Sequence, residues 1–433
     1  MATGLERIAE IVAKHPTEKL QTLIHYINET TLKEKHHELP ADKATGIDSI
    51  TKEEYGKNLD ENIKNLIHRL KSQAYKPQPV RRVYIPKEGS DKGRPLGIPA
   101  YEDKLVQSLI ADILNQVYEP IFLECSYGFR PKRNCHDAIK ALGDIIEHHK
   151  INFIVDADIK GFFDNVDHEW MMKFLEYRIQ DQNLLRLIKR FLIAGIMEQG
   201  KYLESEAGTP QGGNMSPILA NVYLHYVIDL WFNFIIKPNC KGECHIIRYA
   251  DDFICCFQYE SEARAFYQAL KERLKKFGLE LAQDKTRIIE FGRFAKENRQ
   301  RKGLGKPETF TFLGFTHYCS ESKSGKFRVK RKTSAKKFRM KVAKIKTWLR
   351  ENMHMPVKEL IKRLNIRLLG HYRYYGITDN IESLSKFFYI ARRQLFKTLN
   401  RRSQKNGLNW GLFELLLAVF PLVRPKIYVS VYD

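Results

Sequence analysis

Two short runs that alternate like strands, His245 to Tyr249 and Phe253 to Phe257, meet at Tyr249-Ala250-Asp251-Asp252. The chain must turn sharply there and carry two adjacent carboxylates at the tip. Asp is a favoured turn residue, so Tyr-x-Asp-Asp by itself fits a solvated turn as well as a site. A second acidic cluster, Asp156-Ala157-Asp158, lies well upstream and closes the apolar run Phe153-Ile154-Val155, which reads as a short strand that breaks into acid at its C-terminal end. Carboxylates delivered by separate segments are what two-metal phosphoryl transfer requires, with two divalent ions ~4 Å apart clamping the attacking and the leaving oxygen.

Charge points to a polyanionic partner. The chain has 73 Lys and Arg against 51 Asp and Glu, a formal charge of +22 over 433 residues, which implies a nucleic-acid footprint. With 43% hydrophobic and 12% aromatic residues it still builds substantial cores, and its length suits two or three domains. No run of eighteen apolar residues occurs, and Met1 to Lys19 carries mixed charges in place of a signal peptide's apolar block. The expectation is a soluble, cytoplasmic protein of bacterial type with no membrane partner. Seven cysteines without paired spacing suit reduced thiols. Cys240-x-x-x-Cys244-His245 offers zinc-type ligands, but a fourth is not evident.

Along the chain, residues 1 to about 40 read as amphipathic helix, through Leu5, Ile8 and Val12, then Leu20, Leu23 and Ile27. Lys52 to Ser72 repeats apolar residues at helical spacing. Pro77 to Lys87 alternates like a strand, turns through Gly89 to Gly93 and resumes over Arg94 to Pro99. Two basic strands about a glycine-containing turn suit either an exposed hairpin or a fold over a triphosphate. A helix follows from about Asp103 to Tyr118, with Leu105, Leu109, Ile110 and Leu114 on one face. Asp158 to His168 passes from strand to turn to helix, with Asp167 placed as N-cap. Gly208 to Pro217 is a polar, glycine-rich loop opening the helix Ile218 to Leu230; it has neither Walker A nor Rossmann spacing.

The order of these segments carries a resemblance. Arg94-Pro95-Leu96-Gly97-Ile98-Pro99, Ser126-Tyr127-Gly128-Phe129-Arg130-Pro131, Asp158-Ile159-Lys160-Gly161-Phe162-Phe163-Asp164, Thr209-Pro210-Gln211-Gly212-Gly213, Tyr249-Ala250-Asp251-Asp252, Lys285-Thr286 and Leu313-Gly314-Phe315 follow one another like the blocks of group II intron-encoded reverse transcriptases. Each block is weak, but seven in order across nearly the whole chain are specific. The resemblance implies an α+β right-hand polymerase fold, with fingers, a palm built on an antiparallel sheet, and an α-helical thumb or maturase domain. It implies that Asp158, Asp251 and Asp252 hold two Mg²⁺ ions, with Mn²⁺ a possible substitute. Lys87 and Arg94 are then fingers residues on the incoming triphosphate, and Gln211 lines the nucleotide pocket. Phe163 stacks under the sugar and excludes a 2′-hydroxyl, Lys285 sits near the leaving pyrophosphate, and Leu313-Gly314-Phe315 grips the primer strand. Cations beside a transferring phosphoryl group also make independent electrostatic sense.

From Lys323 to Arg350 thirteen Lys or Arg occur without one Asp or Glu, interleaved with Phe327, Phe338 and Trp348. One solvated helix face would account for such a run, yet backbone phosphates are the natural counter-charge. Lys330, Arg331, Lys336 and Lys337 are therefore expected on RNA. Leu369 to Gly376 mixes aromatics with Arg in a way that suits either RNA stacking or a helix packed through its Tyr residues. The expected division is a helical extension over 1–45, fingers and palm over 46–320, and a basic helical thumb with C-terminal tail over 321–433. The expected activity is RNA-templated DNA synthesis with a maturase role, and the partners are template and intron RNA, a DNA primer or target, and deoxynucleoside triphosphates. Rivals are a same-fold enzyme serving repair or phage defence, a non-catalytic RNA-binding splicing factor and, weakened by Phe163, an RNA-templated RNA polymerase. Oligomeric state is open.

Overall fold

A computed structural model describes residues 4–86, 93–198, 201–204, 207–208, 212–402 and 407–432. The chain forms two compact units, one of Met1–Cys135 with Val155–Ile288 and one of His136–Ile154 with Ile289–Asp433. Compactness thus divides the chain at points other than the linear boundaries expected at 45 and 320.

The first unit carries strands β1 (Val80–Pro86), β2 (Gly93–Ile98), β3 (Phe153–Asp158), β4 (Ile196–Glu198), β5 (Lys201–Leu203), β6 (Cys244–Tyr249), β7 (Asp252–Phe257) and β8 (Arg287–Glu290), with the chain crossing between units inside β3 and β8. They form two sheets, ordered β2-β1-β4-β5 and β6-β7-β3-β8. β1 and β2 pair antiparallel from Arg81↔Ile98 to Pro86↔Gly93. The expected basic hairpin is present, while Lys87 lies outside the described residues.

The helix Tyr101–Tyr118 buries more than the one face its spacing indicates. Val106, Ile113 and Val117 are buried with Leu105, Leu109, Ile110 and Leu114, so it runs through the core. The helix beginning at Ser216 reaches Asn239, further than its expected end near Leu230. It passes through two π-helical turns, His225–Asp229 and Phe232–Ile236, each of which shifts the side chains that follow it around the axis. By length and mean hydropathy it is the one helix among the described residues apolar enough for a membrane span. Most of its apolar stretch is buried within the protein, as in a core helix.

In the second unit β9 (Phe310–Phe312), β10 (Phe315–Glu321) and β11 (Phe327–Thr333) form a sheet of order β11-β10-β9, followed by helices Ala335–Glu351, Val357–Tyr375, Ile381–Asn400 and Trp410–Val419. Leu349, Leu364, Leu368, Tyr372, Leu384, Phe387, Leu395 and Phe413 build its core. The basic stretch is therefore strand before it is helix. Alternation along β11 puts Val329, Arg331 and Thr333 on the buried face and leaves Lys332 exposed and Arg328 and Lys330 half-buried.

Candidate active site

Tyr249 pairs with Asp252, so Ala250 and Asp251 are the two central residues of a tight hairpin between β6 and β7. Ala250 has φ 57°, a left-handed conformation that glycine usually supplies in such turns. β3, ending at Asp158, is the neighbour of β7 in the sheet. Burial pushes the Asp251 carboxyl above its ordinary pKa and the nearby Asp158 charge adds to the rise, while Arg94 and Arg248 oppose it. The two carboxylates and the β2 guanidinium thus share one field, although they come from widely separated segments.

Asp158 is laced to the segment before β8. Ala282 N donates to Asp158 O at 2.8 Å, Asp158 N donates to Thr286 Oγ1 at 3.4 Å, and Lys285 Nζ lies 2.6 Å from Asp158 Oδ2. That hydrogen bond raises the Lys285 pKa. Asp156, two residues back and so on the same face of β3, has its carboxyl pushed up to about 6 by burial, with Arg287 Nη2 opposing from 3.5 Å. Arg287 was not singled out in the sequence, and its one signal there is its position two residues after Lys285.

Phe163 is nearly buried in the 3₁₀ turn Phe162–Asp164, edge-on to Phe162 with ring centroids 5.2 Å apart. The glycine-rich loop comes to this turn at Gly208, where φ is +91° and a Cβ would stand 2.9 Å from Phe163 O. At Gly212, with φ +112°, a Cβ would stand 2.7 Å from Gly97 O of β2. Gly208 thus approaches the turn after Asp158, and Gly212 approaches the β1–β2 hairpin. Asn214 holds the loop down, with its N donating to Gln107 and its Nδ2 to Ser108 Oγ. Gln211 lies outside the described residues.

In the second unit Leu313 and Gly314, both at positive φ, make the two-residue turn joining β9 to β10. Tyr374 Oη donates to Leu313 O at 3.0 Å. Phe315 is fully buried and stacks on Tyr374, so it supports the turn and offers no surface to a primer strand. Arg331 also departs from expectation. It is 1% exposed, its Nη2 donates to Val329 O at 2.9 Å, and it fills the space left by Gly143, where a Cβ would stand 2.6 Å away. Strand parity turns it inward, so it is a core residue. Lys336 is exposed and Lys330 and Lys337 are half-buried.

Residues 85–317 match the family model described as reverse transcriptase (RNA-dependent DNA polymerase). Group II intron-encoded protein LtrA of Lactococcus lactis subsp. cremoris is 32% identical over 415 residues, covering 78% of this chain and 67% of that protein. An uncharacterized 91 kDa protein in the cob intron of Schizosaccharomyces pombe is 37% identical over 180 residues, covering 42% of this chain and 22% of its own length. A solved structure of telomerase from Candida albicans with a fragment of telomeric RNA aligns over 83% of this chain and 65% of that one, at TM-score 0.44 and 14% identity, a likeness too distant to bear on this protein.

Proposed function

This chain belongs to the reverse transcriptases of the group II intron-encoded family, and we propose that Asp158, Asp251 and Asp252 are the metal-holding carboxylates of its polymerase centre. It is an RNA-directed DNA polymerase with an intron-associated maturase role, and its family works with divalent metal ions.

The donor set fits such ions. All three candidates are hard oxygen ligands. Burial first, and then the charge of Asp158, raise the Asp251 carboxyl, while Arg94 and Arg248 oppose the rise, so the two carboxylates lie within reach of each other's charge. The chemistry supplied by two bound Mg²⁺ ions, or by Mn²⁺ in their place, is stabilisation of negative charge on the attacking and leaving oxygens. Around them the chain's own groups take these parts. Lys285, whose Nζ is 2.6 Å from Asp158 Oδ2, would offer its charge to the leaving pyrophosphate. Arg94 and Lys87 bind the incoming triphosphate and Gln211 borders its base. Phe163 lies under the sugar and leaves no room for a 2′-hydroxyl. Leu313 and Gly314 border the primer strand, and Lys330, Lys336 and Lys337 meet RNA phosphates. Substrates are an RNA template, a DNA primer or target, and deoxynucleoside triphosphates; intron RNA is the maturase partner, in the cytoplasm.

The observation that carries this reading is the strained hairpin that sets Asp251 in the field of Asp158. Asp251→Asn is expected to abolish primer extension on an RNA template in Mg²⁺ with circular dichroism unchanged. Extension within a few-fold of the unaltered protein refutes the metal assignment.

A further inference from the structure

Beneath the hairpin tip lies a fully buried guanidinium that the chemistry above does not use. Arg248 is the last residue of β6 but one, and it is completely enclosed. Its Nε and Nη2 donate to the two oxygens of Asp229, at 2.7 and 2.5 Å. Nη2 also donates to Ser126 Oγ at 2.8 Å, and Nη1 donates to Asn221 Oδ1 at 3.1 Å and to Ala250 O at 3.0 Å. All five N–H donors of the side chain are thereby used.

Apart from the hairpin itself, the acceptors come from two separate segments, the core helix and the stretch carrying Ser126. Asp229 is delivered by the first π-helical turn of the core helix, and Asn221 by the α-helical turns before it. Asn221 Nδ2 in turn donates to Gly128 O at 2.7 Å. Gly128 lies so close to the backbone of Ala250 that no Cβ fits between them. Main-chain bonds add to the clamp, with Arg248 N on Cys125 O and Tyr127 N on Arg248 O, both at 2.8 Å.

A buried ion pair is weak evidence of stabilisation, because an apolar pair of similar volume commonly holds a fold as well. What an apolar pair cannot do is donate to Ala250 O. That carbonyl belongs to the residue in left-handed conformation immediately before Asp251, and strained backbone persists where its surroundings over-determine it. We propose that Arg248 and Asp229, with Asn221 and Ser126, are positioning residues that hold the Ala250–Asp251 turn in the shape needed to capture divalent metal. The proposal rests on Asp251 being a metal ligand.

The test removes both charges at once, in Arg248→Met with Asp229→Leu, so that no unpaired ion is left buried. Mn²⁺ binding to the full-length protein without nucleic acid is read by electron paramagnetic resonance. Primer extension gives the Mg²⁺ concentration for half-maximal rate, kcat, and KM for the nucleotide. We expect Mn²⁺ affinity to fall and the Mg²⁺ requirement to rise by about tenfold or more, as when groups that orient metal ligands are lost. kcat falls while KM for the nucleotide stays within about twofold, and added Mg²⁺ restores part of kcat. Unaltered Mn²⁺ affinity and Mg²⁺ requirement in a folded double variant overturn the proposal. Should the double variant not fold, Ser126→Ala and Asn221→Ala each withdraw one acceptor; Mn²⁺ binding unchanged in both overturns it equally. Asp251→Asn, measured alongside, separates the two claims. If it keeps metal binding and synthesis, the ligand reading fails and the positioning proposal falls with it. If it loses both while the clamp variants keep both, the positioning proposal alone fails.

Discussion

Replacing Lys330, Lys336 and Lys337 by Gln together should weaken RNA binding and flatten its dependence on salt. Lys330 stands opposite Tyr318 on the face of β11 turned away from Arg331, and Lys336 and Lys337 lie in the first turn of the helix Ala335–Glu351. Lysines at a helix N-terminus oppose its dipole, so helix stability does not explain them. Each phosphate contact contributes roughly 0.7 to 0.9 to the log-log salt slope, and three lost contacts lower its magnitude by about 2 to 2.7. Between 50 and 200 mM salt, roughly 0.6 of a log unit, the unaltered protein should therefore lose about 20- to 40-fold more affinity than the variant. Filter binding over a salt series measures this, with thermal unfolding as the check on folding, where the midpoint should hold or rise slightly. Arg331→Met is the internal control. Its guanidinium is buried, so the salt slope should stay and only stability should change. An unchanged slope in the triple variant, or a flattened one in Arg331→Met, would refute the placement of the RNA surface.

Phe163→Ala should relax sugar selection, raising ribonucleotide use relative to the matching deoxynucleotide; a ratio of kcat/KM values that does not move makes Phe163 a packing residue of its 3₁₀ turn. Lys285→Met should lower kcat with little effect on primer binding, since the lost charge matters most as pyrophosphate departs; a change confined to primer affinity would contradict its assignment. His371 is stacked on Phe387 at 3.8 Å, and burial, helped by Lys341, holds its pKa at about 3. The unfolded imidazole titrates near 6.5, so below that pH the unfolded chain takes up a proton that the folded one refuses, and stability falls on acidification. From pH 8 to 5 this amounts to about 2 kcal/mol, which His371→Phe should remove. Urea unfolding at pH 8, 6.5 and 5 tests it, and an equal acid loss in both proteins refutes it.

The hairpin at Tyr249–Asp252, the strand ending at Asp158 and the Asp167 cap, whose side chain accepts from Trp170 N at 2.9 Å, were all legible because each depends on neighbours a few residues away. The basic run from Lys323 was harder to read. Its charge is visible in composition, but thirteen cations hide the alternation of Phe327, Val329 and Thr333 that marks a strand and turns Arg331 inward. Phe315 misled for a related reason. In a turn block it resembles a contact residue, and it is the stack on Tyr374 that makes it core.

By itself the sequence determined what is local or summed: turns, periodicity, a cationic surplus and the order of blocks that identifies the family. Tertiary structure decided which of several like residues faces water. Gly143 makes room for Arg331, and Asp229 with Asn221 encloses Arg248 behind the Ala250–Asp251 turn. A buried guanidinium such as that of Arg248 needs acceptors, and these lie on the core helix and at Ser126, segments that the fold alone brings into reach and that no short window of the sequence contains.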